Sequence, residues 1–76
     1  MQRFGEKLRR LRKIHRLTLK ELAHKLGYLS YGYLSELEAG KKLPSVHFVL
    51  DIADFFDITT DQLLRDEQEV ASERGQ

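Results

Sequence analysis

The sequence predicts an all-helical domain of five short helices. Three observations predict it. Apolar residues recur at helical spacing, with hardly any strict alternation. Two stretches, Thr18-Leu19-Lys20-Glu21 and Thr59-Thr60-Asp61-Gln62, have the form of a capping box. Gly27, Gly40 and Pro44 fall where the periodic segments stop.

The elements follow in order. Phe4, Leu8, Leu11 and Ile14 form one stripe, so the first helix is expected over about residues 2–15. Thr18 can accept from the amide three residues on while Glu21 reaches back to the threonine amide, and Leu22, Ala23 and Leu26 continue one face. The second helix is therefore about 19–26, ended by Gly27, which can take the positive φ of a helix stop. A third helix is expected to start at Ser30 as its cap, to turn Leu34 and Leu37 inward and to stop at Ala39-Gly40. Pro44 blocks helix continuation and Ser45 caps a fourth helix over about 46–56. The box at Thr59 opens a fifth helix carrying Leu63 and Leu64. The domain is expected over 1–66, with 67–76 a polar, acidic tail or a continuation of the last helix through Val70.

Seventy-six residues make one small domain. There is no cysteine, which excludes disulfides and thiolate zinc sites. No apolar run reaches the roughly 20 residues of a membrane helix, and the charged N-terminus has no signal-peptide stretch, so a cytoplasmic setting is expected. The formal net charge of +1 hides an asymmetry. Residues 1–42 carry eleven Lys/Arg against four acids, while residues 43–76 carry two against eight. A basic half attracts phosphates and an acidic half is repelled by them. His15, His24 and His47 are too far apart for a local metal motif, and there is no phosphate-cradling glycine loop or nucleophile motif. No enzyme activity, metal, cofactor or small-molecule effector is expected.

The segment LTLKELAHKLGYLSYGYLSELEAGKKLPS resembles the phage Cro/repressor type of helix-turn-helix, the XRE family. The resemblance rests on Leu17-Thr18, Glu21-Leu22-Ala23, Leu26-Gly27, Tyr33-Leu34-Ser35, Leu37-Glu38-Ala39-Gly40-Lys41 and Pro44-Ser45. It continues through Ile52-Ala53, Phe56 and Leu63-Leu64, so it covers about residues 4–65. It implies a compact five-helix, lambda-repressor-like fold whose third helix is the recognition helix. One departure stands out: between Gly27 and Glu38 the chain holds one residue more than the common family pattern. Tyr28-Leu29-Ser30 contains it, and either Tyr28 or Leu29 fills the usual apolar turn position.

Aligned on Leu37 to Lys41, the resemblance puts base-facing positions at Tyr31, Gly32 and Glu36, with Ser35 and Tyr33 beside them. A carboxylate in the major groove can accept from the cytosine amine, although Glu36 can equally be a solvated partner of a nearby lysine. Phosphate contacts are expected from Thr18, Ser30, Tyr33, Lys41 and Lys42, at helix starts and in the loop after the recognition helix. The resemblance also implies that Arg12 and Glu38 form a structural ion pair tying the first helix to the third. Arg9, Arg10, Lys13 and Arg16 are read as a diffuse field.

The fourth helix carries two apolar stripes. Val46, Val49, Leu50, Ala53 and Phe56 share one side, expected to face the core. Phe48, Ile52 and Phe55 share another, expected to meet a second copy in a homodimer, the alternative being that the fifth helix and the tail fold over it. Such a dimer would read a palindromic operator. The function expected is sequence-specific double-stranded DNA binding by a small transcriptional regulator, most simply a repressor. An antitoxin or a restriction-modification controller would share the physics, and a protein-interaction module is the competing class.

Overall fold

The computed structural model describes residues 2–70. Five helices follow one another: α1 (Phe4–Ile14), α2 (Leu19–Lys25), α3 (Gly32–Glu38), α4 (Val46–Phe56) and α5 (Thr60–Leu64). Each start and stop has a local chemical cause. Thr18 Oγ1 accepts from the Glu21 amide at 3.0 Å while the Glu21 carboxylate accepts from the Thr18 amide at 2.8 Å. The same box closes at Thr59 and Gln62, and Ser45 Oγ accepts from the Phe48 amide. α3 differs from expectation: its N-cap is Tyr31, with no side-chain cap bond, so Ser30 is one residue too early to cap it.

The first four helices end alike. The chain swings into a left-handed residue, and the amide after it bonds a carbonyl five residues back: Leu17 to Arg12, Tyr28 to Ala23, Lys41 to Glu36 and Ile58 to Ala53. Glycine supplies the positive φ at Gly27 and Gly40. Arg16 and Asp57 supply it at the other two ends, at φ 58° and 56°.

Leu8, Leu22, Leu34, Leu37, Phe48, Ile52 and Leu63 are wholly buried and, with Phe4, Leu11, Ala23 and Phe56, make one continuous core. α1 packs on α3 and α5, α2 on α3, and α4 on α5. Ile14 lies outside it, about half exposed.

The expected boundary at residue 66 is corrected by the structure. Residues 65–70 neither fray nor extend α5; they fold back over α1 as a strap, and Val70 enters the core. The Asp66 carboxylate accepts from the amides of Gln2 and Arg3 at 3.2 and 3.0 Å, capping the start of α1. In return the Lys7 ammonium, inside the core, donates to the carbonyls of Gln62 and Arg65, at the last turn of α5 and just beyond it. Each helix thus satisfies orphan groups of the other. The Arg3 guanidinium adds bonds to Glu69 and to the Asp66 carbonyl. Residues 71–76 of the expected tail lie outside the described residues.

Candidate nucleic-acid interface

α3 is held from three sides. Leu34 and Leu37 sink its inner face into the core, and Ala23 on α2, buried and small, permits close approach there. At its start, the Tyr28 ring lies 5.9 Å from that of Tyr33 and 6.0 Å from Phe48, and Tyr33 meets Phe48 edge-on at 5.3 Å. The Tyr33 hydroxyl accepts from the Ser45 amide at 3.2 Å, fastening α3 to the start of α4. Tyr28 therefore fills the apolar turn position, and burial pushes its phenol above the ordinary value. Leu29 is the residue left outside.

At its far end α3 is held by charge. Arg12 Nε and Nη2 donate to the two Glu38 carboxylate oxygens at 2.7 and 3.1 Å, and Nη1 donates to the Leu17 carbonyl at 2.9 Å. The two side chains are only 12% and 8% exposed, and the Glu38 carboxylate holds the Arg12 guanidinium protonated above its already high ordinary value. One arginine thus joins α1, the link into α2 and the last residue of α3. Beside it, Gly5 has no side chain where α1 meets the end of α3: a Cβ there would stand 2.3 Å from the Leu37 carbonyl oxygen. Neither Gly5 nor Lys7 was singled out in the sequence, although a glycine inside a helical stripe signals close backbone approach.

With these contacts made, the rest of α3 faces water. Gly32 and Ala39 are exposed and Ser35 and Glu36 partly so, on the side opposite Leu34 and Leu37. Tyr31 stands half exposed at the helix start. Glu36 pairs with Lys42 at 3.2 Å, both side chains about half exposed. A pair so wetted is worth about 0–1 kcal/mol and separates easily. Lys42 also lies 6.0 Å from the centre of the Tyr33 ring. Lys41 is exposed and makes no ion pair among the described residues. The Thr18 hydroxyl is exposed and accepts from the Glu21 amide, an arrangement in which a hydroxyl can still donate to an anion.

Of the expected DNA-facing residues, Thr18, Tyr31, Gly32, Lys41 and Lys42 are exposed and Ser35 and Glu36 partly so. Tyr33 is part of the frame, half-buried in the ring cluster. The expected dimer residues do not come together on a surface. Phe48 and Ile52 are at 0% exposure inside this chain, which corrects their assignment; only Phe55 of that stripe is exposed. Val46 and Leu50, expected to face the core, are exposed instead; with the Tyr28, Tyr33 and Phe4 rings packed on Phe48, α4 buries the arc of Phe48, Val49, Ile52, Ala53 and Phe56. Its exposed apolar side chains are Val46, Leu50 and Phe55, with Leu43 just before it.

Residues 8–63 match the helix-turn-helix family model. The chain belongs to the helix-turn-helix family. α2, the turn and α3 are its named motif, and α1, α4 and α5 are the frame that holds it. The domain is 40% identical over 65 residues to the HTH-type transcriptional activator BcrR of Enterococcus faecalis, covering 86% of this chain and 31% of BcrR. It is 37% identical over 60 residues to the uncharacterized HTH-type transcriptional regulator YazB of Bacillus subtilis, covering 79% of this chain and 86% of YazB. The restriction-modification controller protein C.AhdI of Aeromonas hydrophila superposes with a TM-score of 0.72 at 30% identity, over 83% of this chain and 94% of that one. This chain thus spans less than a third of BcrR but most of YazB and C.AhdI. Two of these relatives are HTH-type transcriptional regulators and the third is a controller protein. No helix among the described residues is long and apolar enough to cross a membrane.

Proposed function

We propose that this helix-turn-helix chain binds double-stranded DNA sequence-specifically, with α3 in the major groove, and acts as a small cytoplasmic transcriptional regulator. The observation that carries this is the free face of α3. A helix bolted on its other sides by Leu34, Leu37, Tyr33 and Glu38 leaves Gly32, Ser35 and Glu36 open, with Tyr31 at its head. Such an element is rigid enough to read and bare enough to enter a groove.

Glu36 and Ser35 are the side chains suited to base edges; Gly32 lets the helix backbone approach. Glu36 accepts from a cytosine amine once Lys42 has moved to a phosphate. Tyr31 contacts a thymine methyl or a phosphate. Thr18, Lys41 and Lys42 set orientation on the backbone, and Ser30 and Tyr33 lie close enough in sequence to share that role. The exposed Leu43, Val46 and Leu50 offer a second copy an apolar face, which makes a homodimer on a palindromic operator the natural arrangement. Occupancy of a promoter by such a dimer represses most simply. C.AhdI, similar over nearly its whole length, favours a controller role as the second reading.

Selection of bound duplexes from random DNA, followed by a salt titration, tests this. A palindromic consensus is expected, with affinity falling along a log–log slope of about −0.9 per neutralised phosphate. Glu36→Gln should shift a cytosine preference toward adenine. A folded sample that enriches no sequence ends the proposal, and a salt-insensitive protein partner would replace it.

A further inference from the structure

The turn between α2 and α3 holds a residue that neither fold nor frame uses. Gly27, at φ 89°, reverses the chain, and the Tyr28 amide bonds back to the Ala23 carbonyl at 2.9 Å. The Tyr28 ring is then locked against Tyr33 and Phe48. With both ends of the turn fixed, Leu29 is thrown outward. It is fully exposed at 107%, beyond Leu43 at 76% and Val46 at 77%.

Beside it lies a concavity of about 580 Å³ between the turn and the outer face of α2. Tyr28, Leu29 and Tyr31 line it together with Lys20, Lys25 and Glu21. Neither lysine makes an ion pair among the described residues, and the nearby Glu21 carboxylate is occupied in its capping box. An apolar lining beside two ammonium groups and one carboxylate turned to a backbone amide is net positive, and suits an apolar group carried on an anionic chain. The hollow is also continuous with the head of α3, the end of a recognition helix that meets base edges. In duplex DNA the apolar group exposed in the major groove is the 5-methyl of thymine.

We infer that Leu29 is a specificity-determining residue, making apolar contact with a thymine 5-methyl at the edge of the half-site nearest the start of α3, while Lys20 and Lys25 hold the flanking phosphates. This rests on the DNA-binding reading above. The contact belongs to this chain's longer turn, because Tyr28 takes the packed position and frees Leu29 to reach out.

Thymine-by-thymine replacement with deoxyuridine in the selected duplex removes one methyl and nothing else. One position is expected to weaken binding about fourfold, the worth of one buried methyl group. Leu29→Ala should weaken binding to the thymine duplex by at least as much and abolish the response to deoxyuridine there. Its melting temperature should be nearly unchanged, since the side chain is fully exposed. Lys20→Gln and Lys25→Gln should weaken thymine and deoxyuridine duplexes equally and lower the salt slope by about 0.9 each. If wild type responds to deoxyuridine nowhere, or Leu29→Ala keeps the full response, the inference is overturned while DNA binding stands. If no duplex is bound at all, both readings fall.

Discussion

Gly5→Ala sets two physical effects against each other, and the structure says which wins. Gly5 lies in the first turn of α1, and alanine there is the better helix former by up to about 1 kcal/mol. Propensity alone predicts a more stable protein. The added Cβ, however, would sit 2.3 Å from the Leu37 carbonyl oxygen and 2.8 Å from that of Glu38. Both are backbone atoms at the end of α3, so no side chain can turn aside. Relief requires α1 and α3 to part by roughly 1 Å, against a close-packed interior in which overpacking costs about 1–3 kcal/mol. The same movement stretches the Arg12–Glu38 bonds. A net loss of about 1–2 kcal/mol is expected. For a chain of this size that corresponds to a fall of about 4–16 °C in Tm. Urea denaturation should show a lower midpoint with an unchanged slope. DNA affinity, measured where the variant is folded, should also drop, because the end of the recognition helix has moved. A Gly5→Ala protein as stable as wild type or more so would refute the argument, and with it the claim that this crossing sets the pose of α3.

Three further outcomes follow from other contacts. Lys7→Met removes a buried ammonium serving two carbonyls; relief of the buried charge offsets part of the loss, leaving a cost of about 1–2 kcal/mol in chemical denaturation. Burial pushes the Lys7 ammonium below its ordinary value of 10.5, with the Arg3 charge adding to the effect, so the unfolded chain binds its proton more readily. Stability from this group should therefore rise with pH as 10.5 is approached from below, and the rise should be missing in Lys7→Met melts. Arg16→Gly relieves a left-handed arginine at φ 58° and, after the entropy that glycine loses, should raise stability by about 0.5–1 kcal/mol, read as a higher Tm. The Arg3 amide holds the Asp66 carboxyl below the usual range, and the Arg3 guanidinium does the same for Glu69. The stability these groups give is present above that range and lost as pH falls through their folded values, so acid should loosen the strap and Asp66→Asn should shrink the acid loss in Tm.

What the sequence showed and what it hid divide by distance along the chain. Thr18, Ser45 and Thr59 cap helices through bonds to residues three positions on, and Gly27 and Gly40 end helices within the same reach. Such chemistry can be read from neighbours, and the helix limits came within two residues. Lys7 finds its acceptors 55 and 58 positions away, and nothing near it marks it as a core residue. The α4 stripe shows the same limit. Spacing places Phe48 and Ile52 on one side of a helix, but not what covers that side; for Phe48 the cover comes from Phe4, Tyr28 and Tyr33 on other elements. Ser30 misled for a smaller reason: the extra turn residue carries the helix start one position past it. Which of Tyr28 and Leu29 packs was open in the sequence because both are apolar enough. The ring was taken inward because Tyr33 and Phe48 offer it two faces.

The pair Arg12–Glu38 shows how a helix proposed to enter a DNA groove can carry an acid at its end. Unpaired, Glu38 would set a negative charge on α3 facing a polyanion. Paired in bidentate fashion and 8% exposed, it is neutralised and turned toward α1 instead. The two single truncations should therefore be unequal. Arg12→Ala strands a buried carboxylate with no other partner and removes the bond to Leu17, at a cost of about 3–5 kcal/mol. Glu38→Ala leaves a long arginine that keeps Leu17 and can reach water, so it should cost less. Arg12→Met combined with Glu38→Leu should be more stable than Arg12→Ala alone, because no charge is left buried. DNA binding separates the roles: if the pair only stabilises, this double variant binds like wild type. If it also fixes the angle of α3, the double variant stays folded yet loses discrimination among duplexes. Equal costs for the two single truncations would show that the carboxylate finds water after all, and that its burial is not what places the end of α3.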